Sequence, residues 1–470
     1  MSFIALDLGT SFIKGAVLNA ETLAIEHVRR VPFPDPLPGL PRLHREFDPA
    51  AILAALRSLL AELLLIALSE GKACEGIIMC SQMHGLVFTS ERGEPASNLV
   101  NWQDQRVLEP HPSGQGTYFD ALARRITPEE LRQLGNELRP GQPAGVLFWL
   151  AEQKQLPSAD LIPASLPDFL LSNLCGAPPT IESTNAAGHG LLDMEKMDWH
   201  HEVIGKLGLA GLRWPALRQH GEVVGMLRTE GRAIPCYTPV GDYQAALTGA
   251  LLQEGELSLN ISTGAQVSMV KPELAFGDYK TRPFFDGRFL AGITNVPAGR
   301  SLTALVRLLS ELAEGQGVAL PDPWDYISQK VGQVSTTQMR ADLAFFASDC
   351  GDHGEFRNLL ETELTIGHLF HAAFENVAAN CYASALRLAP DRRWRNLVFS
   401  GGLAQKLVML RVLIVERFGA RYRVCPTAED TMLGLLALGL AFTGRAASVA
   451  AAIERIYAAF GDDNMMRPAV

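Results

Sequence analysis

Residues 3–11 read Phe-Ile-Ala-Leu-Asp-Leu-Gly-Thr-Ser, an apolar run that ends in small turn-forming residues. The apolar pattern resumes over residues 12–19, so the segment predicts a β-hairpin whose turn carries glycine and hydroxyl groups. Residues 257–264 read Leu-Ser-Leu-Asn-Ile-Ser-Thr-Gly, and residues 266–270 continue as a second strand. Because a purely structural turn has no reason to recur, the repeat indicates two related halves that begin with the same hairpin.

The length of the chain also favours two domains. With 470 residues it exceeds what one ordinary hydrophobic core supports. We place the domains at residues 1–250 and 251–450, followed by a C-terminal tail at 451–470. We expect an α/β fold in which each domain is a mixed sheet flanked by helices, with a deep cleft between them.

The composition is that of a globular enzyme, with 47% hydrophobic and 20% charged residues. A net charge of −10 argues against general binding to nucleic acids or anionic membranes. Seven scattered cysteines without a Cys-x-x-Cys pair indicate neither a zinc site nor a redox motif. The apolar segment 52–68 is expected to fall short of a membrane span. With no signal peptide expected, we predict a cytoplasmic protein, monomeric or homodimeric.

The two hairpin turns suit phosphate binding. Glycine lets backbone amides approach a phosphate closely, and threonine and serine hydroxyls can donate to its oxygens. Either turn alone could equally be an ordinary hairpin turn, and only the repetition favours the functional interpretation. The residues concerned are Gly9, Thr10 and Ser11 in the first turn, and Thr263 and Gly264 in the second.

Two carboxylates and a lysine add to this pattern. Asp7, at the end of the first strand, could hold Mg²⁺ through water, and Lys14 could add positive charge. Asp242 follows a Thr-Pro-Val-Gly turn and precedes an apolar helix. It could be the N-cap of that helix, or the general base that takes a proton from an attacking hydroxyl.

A second set of polar residues suits a sugar. Met83 and His84 follow a buried strand, at the edge of an α/β sheet where ligands usually bind. Residues 101–104 read Asn-Trp-Gln-Asp and combine a ring with amide and carboxylate groups. Residues 183–188 could add an amide to the same pocket. His84 alone is more often structural, and Trp102 could be core.

Taken in order, these motifs resemble the FGGY family of carbohydrate kinases, within the actin–hexokinase superfamily, over approximately residues 3–442. Any one of the motifs is unspecific, whereas five in the right order are a strong signal. They are residues 7–14, 82–85, 241–245, 262–264, and 400–402 with Gln405.

The resemblance implies two related actin/hexokinase-like (ribonuclease H-like) domains with an active-site cleft between them, and ATP and Mg²⁺ as cofactors. It implies Asp242 as catalytic base, with Asp7 and Asp242 at the metal. The implied sugar contacts are Met83, His84, Gln103, Asp104, Asn185, Asp242 and Gln244. The implied nucleotide contacts are Gly9, Thr10, Ser11, Lys14, Thr263, Gly264, Gly299, Gly401, Gly402 and Gln405.

Three stretches resemble the sedoheptulokinase branch of the family: residues 99–106, 185–187 and 259–263. This implies transfer of phosphate from ATP to sedoheptulose. Two alternatives stay open: a kinase for another ketose or polyol, such as xylulose or ribulose, and a non-catalytic regulatory protein that binds ATP and sugar. The regulatory alternative would be favoured if Asp242 capped a helix and faced away from the cleft.

Overall fold

Two seven-stranded mixed sheets form the framework of a computed structural model that describes residues 1–229, 231–460 and 466–467. Sheet I contains β1 (Ser2–Leu8), β2 (Phe12–Asn19), β3 (Ala24–Pro32), β4 (Cys74–Ser81), β5 (Val223–Thr229), β6 (Arg232–Tyr237) and β7 (Val240–Gly241). Sheet II contains β8 (Glu256–Ile261), β9 (Gly264–Lys271), β10 (Lys280–Pro283), β11 (Phe289–Pro297), β12 (Asn396–Ser400), β13 (Arg421–Val424) and β14 (Met466–Arg467).

The two sheets share one topology. Sheet I runs β3-β2-β1-β4 and sheet II runs β11-β9-β8-β12. In each, the first three strands are antiparallel and the fourth is parallel to the third. A further parallel strand follows in both, β6 beside β4 and β13 beside β12. The prediction of two related α/β halves is therefore confirmed, and both predicted hairpins are present as β1–β2 and β8–β9.

Helices pack on both sheets and fill the space between them. They are α1 (Pro49–Ser69), α2 (Tyr118–Arg125), α3 (Pro128–Gln133), α4 (Pro143–Glu152), α5 (Leu166–Cys175), α6 (Ser183–Gly188), α7 (His201–Lys206), α8 (Asp242–Gly249), α9 (Gly299–Gly315), α10 (Pro323–Val331), α11 (Ile366–Leu388), α12 (Gly402–Lys406), α13 (Val408–Phe418), α14 (Asp430–Phe442) and α15 (Val449–Phe460). Short strand pairs decorate the domains: Glu46–Phe47 with Leu99–Val100, Val87–Thr89 with Ile162–Ala164, Thr180–Glu182 with Ala216–Arg218, Leu192–Asp193 with Asp198–Trp199, and Arg340–Asp342 with Glu355–Arg357.

Helix α1 covers one face of sheet I. Asp48 caps its first turn, and its apolar face, including Ile52 and Leu56, joins a core with β1, β2 and β4. The helix has 21 residues, and an 18-residue window of it has a mean hydropathy of 2.2, enough by length and composition to cross a bilayer. The helix is longer than the expected segment 52–68, and its apolar face packs in the core of sheet I.

Helices α8 and α14 cross where the two halves meet. They approach so closely that only glycine fits at the crossing. A Cβ atom on Gly249 would lie 1.7 Å from the carbonyl oxygen of Asp430. A Cβ atom on Gly434 would lie 1.9 Å from the carbonyl oxygen of Ala245. Real side-chain carbons do not come this near to a backbone oxygen, so both positions require glycine.

The core around this crossing draws on both halves of the chain, including Phe3 from sheet I and Val398 from sheet II. Helix α14, which we placed within the domain 251–450, packs against β1, β2 and β4 of sheet I. Helix α15 contributes Ile453 to the same core, so the predicted tail at 451–470 begins as a packed helix. Residues 461–465 and 468–470 lie outside the described residues.

One helix differs from its prediction. We expect a single helix that opens at residues 401–402 and runs through Gln405 toward Phe418, and the structure has two, α12 and α13, which meet at Leu407. The side chain of Leu407 is buried in the core of sheet II, and its backbone is not helical, with φ −94° and ψ 88°.

The crossing predicts a glycine requirement that stability measurements can check. Gly434→Ala should lower the free energy of unfolding by roughly 2–3 kcal/mol or more, because a backbone carbonyl cannot move aside as a flexible side chain would. Gly205→Ala in α7 is the matched control, since no atom lies within 4 Å of its added Cβ. Gly205→Ala should change stability by no more than about 1 kcal/mol. Equal denaturation midpoints for the two variants would contradict the requirement for glycine at the helix crossing.

Candidate active site

Three carboxylates converge where β1 ends and where α8 and α14 begin. Asp7 is near the end of β1, Asp242 is the first residue of α8, and Asp430 is the first residue of α14. The Thr431 hydroxyl donates to Asp7 Oδ2 at 2.8 Å, which ties β1 to α14. All three charges act on the buried thiol of Cys80 on the neighbouring strand. The helix crossing thus brings together acids that lie far apart in the sequence.

These carboxylates repel one another in the protein alone. Burial raises the pKa of Asp242 to about 7, and the charge of Asp7 adds to this, while Arg282 and Arg139 act in the opposite direction. Burial raises the pKa of Asp430 to about 6, again with a contribution from Asp7. Burial also raises the pKa of Asp7 itself. A divalent cation would relieve this repulsion, and oxygen donors are the ligands that Mg²⁺ prefers, so the donor set fits that ion.

The alternative role of Asp242 as a helix cap is wrong. The N-cap of α8 is Gly241, and no side chain caps that helix end. The backbone N–H of Gly241 donates instead to the Thr184 hydroxyl at 2.9 Å. The half-buried carboxylate of Asp242 is therefore left for other chemistry beside Asp7.

His84 is occupied on both ring nitrogens. Its Nδ1–H donates to the Gly188 carbonyl at 2.6 Å, and the Arg139 guanidinium donates to Nε2. Burial lowers the pKa of His84 to about 3, and the charge of Arg139 lowers it further, so the ring is neutral. This differs from the predicted direct sugar contact, because the imidazole holds Arg139 in place and has no nitrogen left for a hydroxyl.

A buried ion pair, missed in the sequence, joins the two halves beside Asp242. Arg282 on β10 donates through Nε to Glu137 Oε2 at 2.6 Å, and through Nη2 to the other oxygen. Its guanidinium lies over the ring of Tyr243, 5.1 Å from the centroid, and 4.0 Å from Met83 Sδ. Burial would raise the pKa of Glu137, but the two arginines, Arg282 and Arg139, hold it well below its usual range. In the sequence, only the charged residues Glu137 and Arg139, two positions apart in a polar loop, could have indicated this ion pair.

Two predicted sugar contacts have different surroundings. The carboxylate of Asp104 accepts from the Arg106 guanidinium and from the Arg45 backbone, and its side chain has no exposed surface. Asp104 therefore holds the framework of the site, which differs from the predicted sugar contact. The side chain of Gln244 is also fully buried, and its Nε2 donates to the Pro283 carbonyl at 3.2 Å. Its Oε1 has no hydrogen-bond partner among the described residues, so its predicted contact with the sugar stays a prediction.

The other predicted sugar contacts lie nearer the cleft. Asn185 is buried below Gly241 and donates to the Pro239 carbonyl at 3.0 Å. Gln103 is partly exposed, next to Trp102, whose indole N–H donates to the Thr10 hydroxyl at 3.0 Å. The loop that carries Gln103 is therefore fixed against the first hairpin turn.

The first turn stays accessible, although Lys14 has a partner. Gly9 and Thr10 are partly exposed and Ser11 is exposed. Lys14 Nζ lies 3.0 Å from Glu429 Oε2, at the N-terminal end of α14. The lysine therefore bridges β2 to the same helix that meets Asp7.

On the other side, the second turn, α9 and α12 border a cleft of about 580 Å³. A Cβ on Gly299 would lie 2.1 Å from the Ser262 carbonyl oxygen, and one on Gly401, at φ +87°, would lie 2.5 Å from the Ile261 carbonyl oxygen. These two glycines let α9 and the turn before α12 close on the hairpin. Thr263 is exposed at the rim.

The remaining predicted nucleotide residues lie around this cleft. Gly264 begins β9 directly after Thr263, and Gly402 begins α12. The backbone N–H of Gln405 donates to the Gly401 carbonyl at 3.1 Å, which fixes the turn before α12. Hydroxyls, glycine-supported backbone and the start of a 17-residue helix are a donor set that fits nucleotide phosphates.

A family profile described as "FGGY family of carbohydrate kinases, N-terminal domain" matches residues 2–249. The chain belongs to the FGGY family of carbohydrate kinases. Among characterised proteins, mouse sedoheptulokinase is 23% identical over 88% of this chain and 92% of its own length. Human sedoheptulokinase is 24% identical over 74% of this chain and 76% of its own length. The family resemblance found in the sequence is confirmed.

Solved structures of FGGY kinases show the same fold. Plasmodium falciparum glycerol kinase with ADP has a TM-score of 0.82 at 16% identity, over 97% of this chain and 92% of that one. Ligand-bound xylulose kinase from Lactobacillus acidophilus has a TM-score of 0.79 at 16% identity, over 96% of this chain and 91% of that one. The predicted actin/hexokinase-like fold is confirmed.

The raised pKa of Asp242 predicts a pH-dependent stability difference. In the unfolded chain this acid ionises near pH 4, whereas in the folded protein it ionises near 7. Wild-type stability should therefore fall as pH rises between these values, and Asp242→Asn should escape that loss. In the presence of EDTA, we expect Asp242→Asn to melt roughly 2–4 °C higher than wild type at pH 8, with little difference at pH 4.

Differential scanning fluorimetry across this pH range measures the effect, with and without Mg²⁺. Added Mg²⁺ should reduce the difference in melting temperature between Asp242→Asn and wild type, because it neutralises the wild-type carboxylates. A difference in melting temperature that stays constant with pH would contradict the raised pKa of Asp242.

Proposed function

We propose that this sugar kinase transfers the terminal phosphoryl group of ATP to a ketose, with sedoheptulose as acceptor and sedoheptulose 7-phosphate as product. Mg²⁺ is the proposed metal and Asp242 the proposed base. The observation that carries the proposal is the position of Asp242. Its carboxylate caps no helix, stands at the start of α8 and lies close enough to Asp7 for their charges to interact.

Bound Mg²⁺–ATP would supply the phosphoryl donor and neutralise charge at Asp7 and Asp242. The chain's own part is positioning and proton transfer. Asp242 accepts the proton of the attacking hydroxyl, and a pKa near 7 suits a base that must take up and release a proton near neutral pH. Arg282 and Arg139 lie close enough to act on that carboxylate and favour its ionised form.

Contact between the two halves sets the surroundings of this proton transfer. Arg282, held in a buried pair with Glu137, acts on the partly exposed carboxylate of Asp242, and the ring of Tyr243 lies under the guanidinium. Partial burial strengthens the electrostatic contacts at the reacting groups. The nucleotide cleft at Thr263 and Gly299 then receives the phosphates from the side of sheet II.

The choice of sedoheptulose is supported by the sedoheptulokinases, which match over three quarters or more of their own lengths. A xylulose kinase from Lactococcus lactis is 26% identical over 64% of this chain, which favours a five-carbon ketose as the second candidate. Both candidates share the base and the phosphate sites, and they differ only in the acceptor.

ADP release measured over a panel of sedoheptulose, xylulose, ribulose, fructose and glycerol tests the proposal. We expect the highest kcat/KM with sedoheptulose. Asp242→Ala should lower kcat by about 10²–10⁴-fold or more, because the general base is lost. Asp325→Ala is the matched control: Asp325 is also an acid in the first turn of a helix, is exposed, and should leave kcat unchanged.

Each other outcome has a distinct meaning. The highest kcat/KM with xylulose would replace the acceptor and keep the kinase. If calorimetry shows that ATP and sugar bind but no ADP is released, the catalytic assignment is wrong and the chain is a binding protein. An equal loss in Asp325→Ala and Asp242→Ala would show that the effect is structural.

A further inference from the structure

A second polar pocket, of about 450 Å³, opens between the two halves of the molecule. Asn136 from the first half lines it together with Lys280, Gly292 and Asp349 from the second. Asn136 also donates to the backbone of the segment before β10, at Gly277, so the pocket is bounded by a fixed contact between the halves. None of these residues is used in the proposed proton transfer.

The strand register places this pocket next to Asp242. Lys280 is paired with Gly292, and Gly292 with Ser268, so the three residues share one face of sheet II. The Ser268 hydroxyl is hydrogen-bonded to Tyr243, the residue after Asp242. Lys280 therefore lies on the face of sheet II that meets the candidate active site.

Arg282 lies between the Lys280 pocket and the surroundings of Asp242. It lies two residues beyond Lys280 on β10, so it points to the same face, about 7 Å along the strand. Its guanidinium lies over Tyr243 and approaches Met83. The pocket therefore lies on the face of sheet II that carries Arg282, and a Cβ atom on Gly292, which lines the pocket, would lie 3.4 Å from the Tyr243 hydroxyl.

Lys280 is a cation without a close carboxylate. It is partly buried, and its ammonium donates to the Thr294 hydroxyl at 2.8 Å. Among the described residues, no salt bridge places an aspartate or glutamate oxygen within 4.0 Å of it, although the charge of Glu137 and, more weakly, that of Asp349 act on it from further away. A partly desolvated ammonium with donors to spare is suited to the oxygen atoms of a ligand.

We propose that this pocket binds the end of the acceptor sugar remote from the phosphorylated hydroxyl, and that Lys280 is a specificity-determining residue for acceptor length. Lys280 donates to the distal oxygens of a ketose longer than five carbons, and Asp349 accepts from a neighbouring hydroxyl. A five-carbon ketose ends before the pocket. The inference rests on the proposed function and adds the part of the site that distinguishes acceptors by length.

Steady-state kinetics of Lys280→Met with sedoheptulose and with xylulose tests this. We expect KM for sedoheptulose to rise at least about tenfold, the effect of losing one hydrogen bond to a charged group, with kcat nearly unchanged. KM for xylulose should stay within about twofold, well below the change from losing such a bond. Lys280→Arg should restore most of the sedoheptulose affinity.

The matched control is Lys271→Met. Lys271 is another partly buried lysine of sheet II, and its ammonium donates to the Leu388 carbonyl at 2.8 Å. Lys271→Met should alter neither sugar's KM. Equal KM changes for both sugars in Lys280→Met, or none for either, would overturn the length-sensing role. Tighter binding of an aldonate such as gluconate than of any ketose would also overturn it, because the cation would then select an acid.

The test separates failure of the subsite from failure of the proposed function. If wild type releases ADP with no sugar of the panel, calorimetric binding of sedoheptulose to wild type and Lys280→Met replaces the kinetics. Weaker binding in the variant would then support the subsite although catalysis had failed. Equal binding, or wild-type turnover with no difference between variants, would overturn the subsite alone.

Discussion

The contact of α8 with α14, backbone against backbone, is the constraint on which the other features of the site depend. Gly249 and Gly434 let the two helices cross at a distance that no side chain permits. Both helices begin at the candidate active site, so their crossing fixes Asp242 and Asp430 beside Asp7. The same pair carries the core shared by both sheets, and the position of the base is therefore tied to the packing of the whole molecule.

This arrangement places mutually repelling carboxylates where burial limits their screening by solvent. The raised pKa values of Asp242 and Asp430 are the electrostatic cost of that placement. Natural proteins accept such costs at functional sites, where charges wait for a ligand. Arg282 and Glu137 offset part of the cost and also join the two halves next to the acid cluster.

Much of the fold could be predicted from sequence, because strand alternation and turn chemistry are read over about ten residues. The hairpin at residues 3–19 and its repeat at 257–270 are examples, and both occur as expected. Predictions failed where another side chain, near or far in the sequence, already occupied the group. Asp104 has the composition of a sugar ligand, but Arg106 takes its carboxylate. His84 follows the right strand, but Arg139 takes its free nitrogen.

By itself, the sequence determined the duplicated α/β framework and its two hairpins, since each is encoded in a short contiguous pattern. Asp242 as base and the two turns as phosphate sites stay predictions. Only the tertiary structure decided which groups face the cleft. The pair of Glu137 and Arg282 joins residues 145 positions apart, and no local periodicity marks either of them. The Lys280 pocket likewise exists only because two separately encoded surfaces meet, and its charge balance is set by that meeting.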